Sequence, residues 1–452
     1  MQKISKFNPL FAAFLVLALT ACGDNETNIY AQDVAEPGHE DHDHEEDEHD
    51  HDHEEDEHDH EEDEHDHEDE LSAARLLLIE AGTDTVHVFE ASDGDEVAEL
   101  TLPAAVSYVY PMQGYRYAAF IHRDDNWVSF VDGGVWVEDH GDHDHPYAEA
   151  PQLMDFALDG VKPTHFTLGD AGAAVFYDGN GDTADVAGVV TFSDATIAEN
   201  GLENALQFTT HMHGAAQLRG EHVLATERDA ATSSTLPAAV GLYHLHGGLY
   251  EHELTFAEPC PGLHGSAQSE DAIFFGCEDG VLLIDEPSDF SATKITNADD
   301  FTDGMRVGTL RAHHHVAQAV AIASGKFYLA DPSQAQLQPL GVSMPEGVSA
   351  VSYEFVLGGE AFAILQSDGA LVLLDAHDWS EQARIQVLTS PAADALTLIV
   401  QPEGHMAYVL NSADQQVIPV DLEDAVSADA WSLDFAPAGG VWLGVATEEH
   451  DH

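Results

Sequence analysis

The feature that most restricts the fold of this chain is an internal repeat. Three segments share the pattern His-x-x-Ala-Gln, led by His213, His264 and His314 and closed by Ala216-Gln217, Ala267-Gln268 and Ala317-Gln318. The lead histidines are 51 and 50 residues apart, and apolar stretches follow at 222–226, 272–276 and 326–330. His165 stands 48 residues before His213 and precedes a similar stretch at 174–177, although the Ala-Gln pair is missing there. A period near 50 with several short strands per unit is the size of a β-propeller blade.

The rest of the chain agrees with an all-β fold. Short apolar runs recur at 74–81, 85–91, 118–122, Trp127–Asp132 and Ala370–Asp375, separated by turn pairs such as Asp132-Gly133, Asp178-Gly179, Asp279-Gly280 and Asp368-Gly369. No long amphipathic helical pattern interrupts them. Units starting near residues 104, 162, 211, 262, 312, 348 and 394 give seven blades. An eighth is expected from a C-terminal strand at 441–447 joined to N-terminal strands at 75–103, which closes the ring without open sheet edges. Eight blades are therefore expected, with seven as the alternative.

Ahead of this domain lies a segment that cannot fold in the same way. Residues 39–70 consist only of His, Asp and Glu, with ten histidines and 22 acids. Such a tract has nothing to bury and repels itself, so it is expected to be a disordered tail. Neutral imidazole is a common zinc ligand and carboxylates supply further oxygen donors. His42, His44, His49, His51, His53, His58, His60, His65 and His67 are accordingly candidate ligands of several exchangeable zinc ions. The domain plan is a leader at 1–22, a tether and metal-binding tract at 23–70, and a propeller at 71–452.

Net charge is −72, and residues 71–452 alone carry 59 acids against 11 bases. That surface attracts cations and excludes nucleic acid as a partner.

The leader has the pattern of an export signal. Lys3 and Lys6 precede an apolar run at 10–19, and Leu19-Thr20-Ala21-Cys22 closes it like a lipobox. Lipidation at Cys22 would hold the chain at a membrane, on the periplasmic side, with no other membrane segment expected. In an oxidising compartment the remaining pair, Cys260 and Cys277, is expected to form a disulfide. A thiolate zinc site is the competing idea, but the short Cys-x-x-Cys spacing it uses is missing.

Two sets of histidines inside the domain are candidate zinc ligands. His140, His143 and His145 stand in a long acidic stretch, with Asp142 and Asp144 able to orient a ring. His165, His213, His264 and His314 lead their units, so in a propeller they are expected to converge at one mouth of the channel. His211, His313 and His315 are neighbours that can substitute for them, and His122 is a weaker candidate at a strand end. His244 and His246 alternate on a strand, and His87, His222, His252, His377 and His405 are isolated, so these read as structural. The nucleophile elbow, the His-Glu-x-x-His motif and a phosphate-cradling glycine loop are all missing from the sequence, so no enzymatic activity is expected.

Together, Glu138-Asp139-His140-Gly141-Asp142-His143, Cys260-Pro261-Gly262-Leu263-His264-Gly265, Phe275-Gly276-Cys277-Glu278-Asp279-Gly280 and the His-rich N-terminal segment resemble the AztD-type zinc metallochaperones. The resemblance implies a periplasmic, WD40-like propeller that binds zinc and passes it to the solute-binding protein of a zinc ABC importer. It also implies a Cys260–Cys277 pair and a tight site built from histidines of the 140–145 loop and the unit starts. A monomer is expected. The longer, more acidic tract and the lipobox depart from the family pattern and favour storage or capture at a membrane surface. Passive zinc buffering is the main alternative function, and a zinc-dependent propeller enzyme the lesser one.

Overall fold

The computed structural model describes residues 74–139, 144–169, 171–392 and 394–445. Within them the chain is a succession of antiparallel strands, with one short helix at Asp194–Glu199. The strands group into four-stranded meanders, each begun by an inner strand. The inner strands are Tyr108–Pro111, Pro163–Gly169, Ala216–Arg219, Ser266–Gln268, Thr309–His313, Ala350–Val356 and Leu396–Val400, all starting within five residues of the expected unit starts. The meanders begun by Pro163–Gly169 and Ala216–Arg219 are joined edge to edge through one parallel pairing, Ala205 with Leu249, and so form a single eight-stranded sheet.

A further meander joins the two ends of the described chain. Pro437–Gly444 pairs antiparallel with Ala74–Glu80, from Ala74 opposite Gly444 to Ile79 opposite Gly439, and Thr85–Glu90 and Glu96–Thr101 follow outward. Inner strands then contact one another in succession from Pro163–Gly169 round to Leu396–Val400, Pro437–Gly444 and Tyr108–Pro111. Tyr117–His122 touches Pro163–Gly169 and completes the circle.

Apolar residues on both faces of each strand explain why the sheets stack radially. In Ala74–Glu80, Leu76 and Leu78 pack towards Tyr408, Leu410 and Trp442, whereas Leu77 and Ile79 pack towards Ala118, Phe120 and Val131. A strand covered on both sides reads as a continuous apolar run rather than an alternating one, which is the pattern of Leu76-Leu77-Leu78-Ile79. Separate clusters of this kind fill the spaces between successive meanders, so stability is shared around the ring.

The ring has a proximal mouth, where inner strands begin, and a distal mouth, where they end. The third repeat motif is corrected by this frame. Thr309–His313 is the inner strand there, while Ala317-Gln318 lies in the second strand, Val316–Ala323. His314 therefore sits in the turn after the inner strand, at the distal mouth, and not ahead of it like His213 and His264. The 50-residue spacing to His314 does not mark an equivalent place, because only the first two copies lie just ahead of their inner strands.

Candidate metal centre

His165 lies near the start of Pro163–Gly169, where the register with the next strand shifts between Pro163 and His165. His213 and His264 precede the inner strands Ala216–Arg219 and Ser266–Gln268. Their backbone N–H groups donate to the carbonyls of Thr235 at 3.1 Å and Gly276 at 2.9 Å, which holds each histidine at the proximal mouth. Each is followed by glycine for a local reason. A Cβ on Gly214 would come within 2.2 Å of Thr226 Oγ1, and Gly265 has φ +78°.

The three side chains meet. His213 Nε2 is 3.2 Å from His165 Nε2 and 3.4 Å from His264 Nε2, and one ligand nitrogen from each ring lies within 4.8 Å of the other two. A tetrahedral zinc with bonds of about 2.05 Å separates its ligand nitrogens by about 3.4 Å. The two spacings made by His213 match that value.

Two of the rings are also oriented from behind. His264 Nδ1 donates to the Gly308 carbonyl at 2.8 Å, and His213 Nδ1 donates to Asp178 Oδ2 at 3.1 Å. Arg123 donates to that same carboxylate oxygen at 2.8 Å. Binding each Nδ1–H leaves Nε2 as the lone-pair nitrogen facing the shared point, the arrangement that metal-ligating histidines use. His165 and His264 are buried and His213 is part-exposed, so the centre is desolvated on two sides and approachable on the third. Three neutral imidazoles with an open position can bind a zinc ion and still exchange it, which a closed four-ligand site does slowly.

Known proteins share sequence and fold with this chain. Over 216 residues, 48% of the chain, the sequence is 28% identical to the zinc chaperone AztD of Citrobacter koseri. The chain is similar to zinc chaperone AztD. The aligned stretch spans about half the length of that relative, 49%. Two solved structures of Citrobacter koseri AztD share the fold: the apo protein, with TM-score 0.68, 20% identity and coverage of 83% of this chain and 99% of that one, and a second structure, with TM-score 0.68, 21% identity and coverage of 84% and 100%. No family model matches the chain.

The remaining candidates are placed differently. His314 does not join the proximal trio; it groups with His313 and His315 at the distal mouth. His122 is fully buried, with Nδ1 3.0 Å from the Ala105 carbonyl and Nε2 2.8 Å from Ser129 Oγ. Both its nitrogens are spent on hydrogen bonds, and burial holds its pKa below the usual imidazole range. It is a core residue, and no metal-binding partner is brought to it among the described residues.

His145 is exposed on the strand Asp144–Ala148, which pairs with Val135–Asp139 in a two-stranded hairpin. That hairpin follows Trp127–Asp132, whose last residue pairs with Tyr117 at the distal end of its sheet. His145 and the proximal trio thus belong to opposite mouths. His140 and His143, the tract histidines and Cys22 lie outside the described residues. Cys260 and Cys277 are joined in a buried disulfide.

Sequence reasoning missed Asp178, visible only as half of an Asp-Gly turn, and a third group made by His87, Glu96 and Glu99 across neighbouring strands. Nothing in the linear sequence marks that cross-strand pairing.

Proposed function

We propose that this chain is a zinc chaperone of the exported kind, whose cargo ion is held by His165, His213 and His264. The observation that carries the reading is the convergence of three imidazoles, with His213 Nε2 at 3.2 and 3.4 Å from the Nε2 atoms of His165 and His264 and two rings anchored through Nδ1. The likeness to a protein named as a zinc chaperone supports the choice of metal.

In this reading the ring is an eight-bladed propeller comprising residues 71–452. Residues 1–22 direct export and lipidation at Cys22, and residues 23–70 are a tether that collects zinc in the periplasm. The collected ion passes to the trio, and then by stepwise ligand exchange to the solute-binding protein of a zinc ABC importer. The open side at His213 is where an incoming ligand would displace the outgoing one. No catalysis is assigned, and the protein acts as a monomer.

The test is transfer under competition. Zinc-loaded protein is mixed with the solute-binding protein and a chelator that captures free ion. Transfer that survives the chelator, and is lost in His213→Ala, supports direct handover from the trio. Complete interception by the chelator would reduce the function to passive buffering.

A further inference from the structure

We infer that the proximal mouth holds a binding site for a small monocarboxylate with an apolar body, in a cavity that opens beside His264 and has Arg306 as its anchor. The site goes beyond the zinc trio and does not require it.

The cavity lies between two neighbouring meanders and has a volume of 560 Å³. That falls within the range of small-molecule sites, roughly 300–1,000 Å³. Among its walls, Gly308 stands just ahead of Thr309–His313 and Ala350 opens Ala350–Val356. Both are starts of inner strands, which places the cavity at the proximal mouth.

One wall is apolar. Ile322 and Phe327 are buried side chains, and the Tyr353 ring stands edge-on to Phe327, with centroids 5.3 Å apart and planes at 90°. Such a wall receives an aromatic or branched apolar group against its ring faces and edges.

The other wall carries a single charge. Among the described residues no Asp or Glu lines the cavity, and Arg306 is its one basic side chain. Acids outnumber bases 59 to 11 in residues 71–452. Eight of those eleven bases are paired with a carboxylate. Arg306 is one of the three that are not. Its guanidinium has five N–H donors. Nη1 reaches the Gly262 carbonyl at 3.3 Å, and no other acceptor engages the group among the described residues.

The planar fork of donors that remains matches a carboxylate, which it can hold through two parallel hydrogen bonds. One guanidinium balances one negative charge. The acidic surface around it repels any further charge, which disfavours phosphates and other polyanions. An apolar wall facing a lone guanidinium therefore selects a monocarboxylate whose body is aromatic or branched.

The cavity and the trio share a wall but not a ligand atom. The Gly308 carbonyl accepts His264 Nδ1–H at 2.8 Å, while His264 Nε2 faces His213. The Gly308 wall thus backs His264, opposite the nitrogen that faces the trio, and the carboxylate can bind with or without zinc.

The test uses phenylacetate and its uncharged amide, phenylacetamide, titrated calorimetrically into the metal-free full chain. Phenylacetate should bind saturably, one per chain, and about 10- to 100-fold more tightly than the amide, the range expected for a hydrogen bond to a charged group. Arg306→Gln keeps an N–H for Gly262 and should remove that preference, with a melting curve showing that the fold is retained. Phenylacetate soaked into crystals of the parent should place its carboxylate on Arg306, a check that needs no variant. Equal binding of acid and amide, binding of neither, a preference that survives Arg306→Gln, or soaked density away from Arg306 each overturns the inference. Because no zinc is present, failure of the trio to bind zinc and failure of the cavity to bind the carboxylate are separate results.

Discussion

His213 Nδ1 lies 3.1 Å from Asp178 Oδ2, the same carboxylate oxygen that Arg123 holds at 2.8 Å. The imidazole is thereby fixed in the tautomer that aims Nε2 at His165 and His264. Asp178→Asn removes the charge while keeping the side-chain shape. Zinc affinity of the proximal centre is expected to fall about 10- to 100-fold, the usual cost of losing such a partner. Asp178 is buried beside a part-exposed Arg123, so weakening this charged hydrogen bond should also lower stability, by on the order of 1.5–3 kcal/mol. A chelator-competition titration beside a melting curve checks both halves.

His122 should behave in the opposite way. Its two ring nitrogens bond the Ala105 carbonyl and Ser129 Oγ inside the fully buried strand Tyr117–His122. His122→Ala leaves buried polar partners unpaired, at a cost of about 1–3 kcal/mol for each. Stability measured in denaturant should drop by that order, while zinc bound per chain stays unchanged. A loss of zinc at unchanged stability would return His122 to the metal site.

The contrast between these two histidines shows what the sequence carries. His213 and His264 were legible because a repeat fixes the place of a residue on its inner strand, and equivalent places converge in a ring. His165 could be added from spacing alone. His314 shared the motif yet not the place, since the residues around it are counted from a different strand. Asp178 and Gly308 were not legible, because their contacts with His213 and His264 depend on which meanders stand side by side. The closure of Pro437–Gly444 on Ala74–Glu80 was legible, since strand-like runs at both chain ends each needed a partner.

The buried Cys260–Cys277 disulfide closes a loop with a sequence separation of 17. In the chain-entropy account, a loop of that length stabilises the fold by about 3 kcal/mol. Cys260→Ser with Cys277→Ser should therefore unfold at lower denaturant with similar cooperativity. Addition of a reductant to the parent protein should lower its midpoint towards that of the variant and leave the variant unmoved. A midpoint equal to that of the parent under oxidising conditions would show that the bond is dispensable.

Removal of residues 39–70 separates collection from holding. If the trio is the tight site, the shortened protein should retain high-affinity zinc and lose only the numerous weaker equivalents supplied by the tract's ten histidines. Adding His165→Ala and His264→Ala to it should then abolish the proximal, tight class. Calorimetric titration resolves the classes by affinity. Loss of all tight binding on removing the tract alone would place that site outside the ring.

Asp194 gives a pH dependence whose sign can be stated in advance. It lies in the first turn of Asp194–Glu199, where its Oδ2 accepts the Gly114 backbone N–H at 3.0 Å. Burial raises its pKa from 3.8 to about 6, against the smaller downward pull of the Gly114 hydrogen bond and Arg116. Between about pH 4 and pH 6 the folded chain keeps a proton that the unfolded chain has released. Stability from this group is therefore greatest below pH 4 and declines as pH rises, by up to about 3 kcal/mol. Asp194→Asn keeps the acceptor for Gly114 and removes the titration. Its stability relative to the parent should climb across that window and level off above it, as measured by unfolding at matched pH. Parallel curves would mean that Asp194 is solvated well enough to ionise normally.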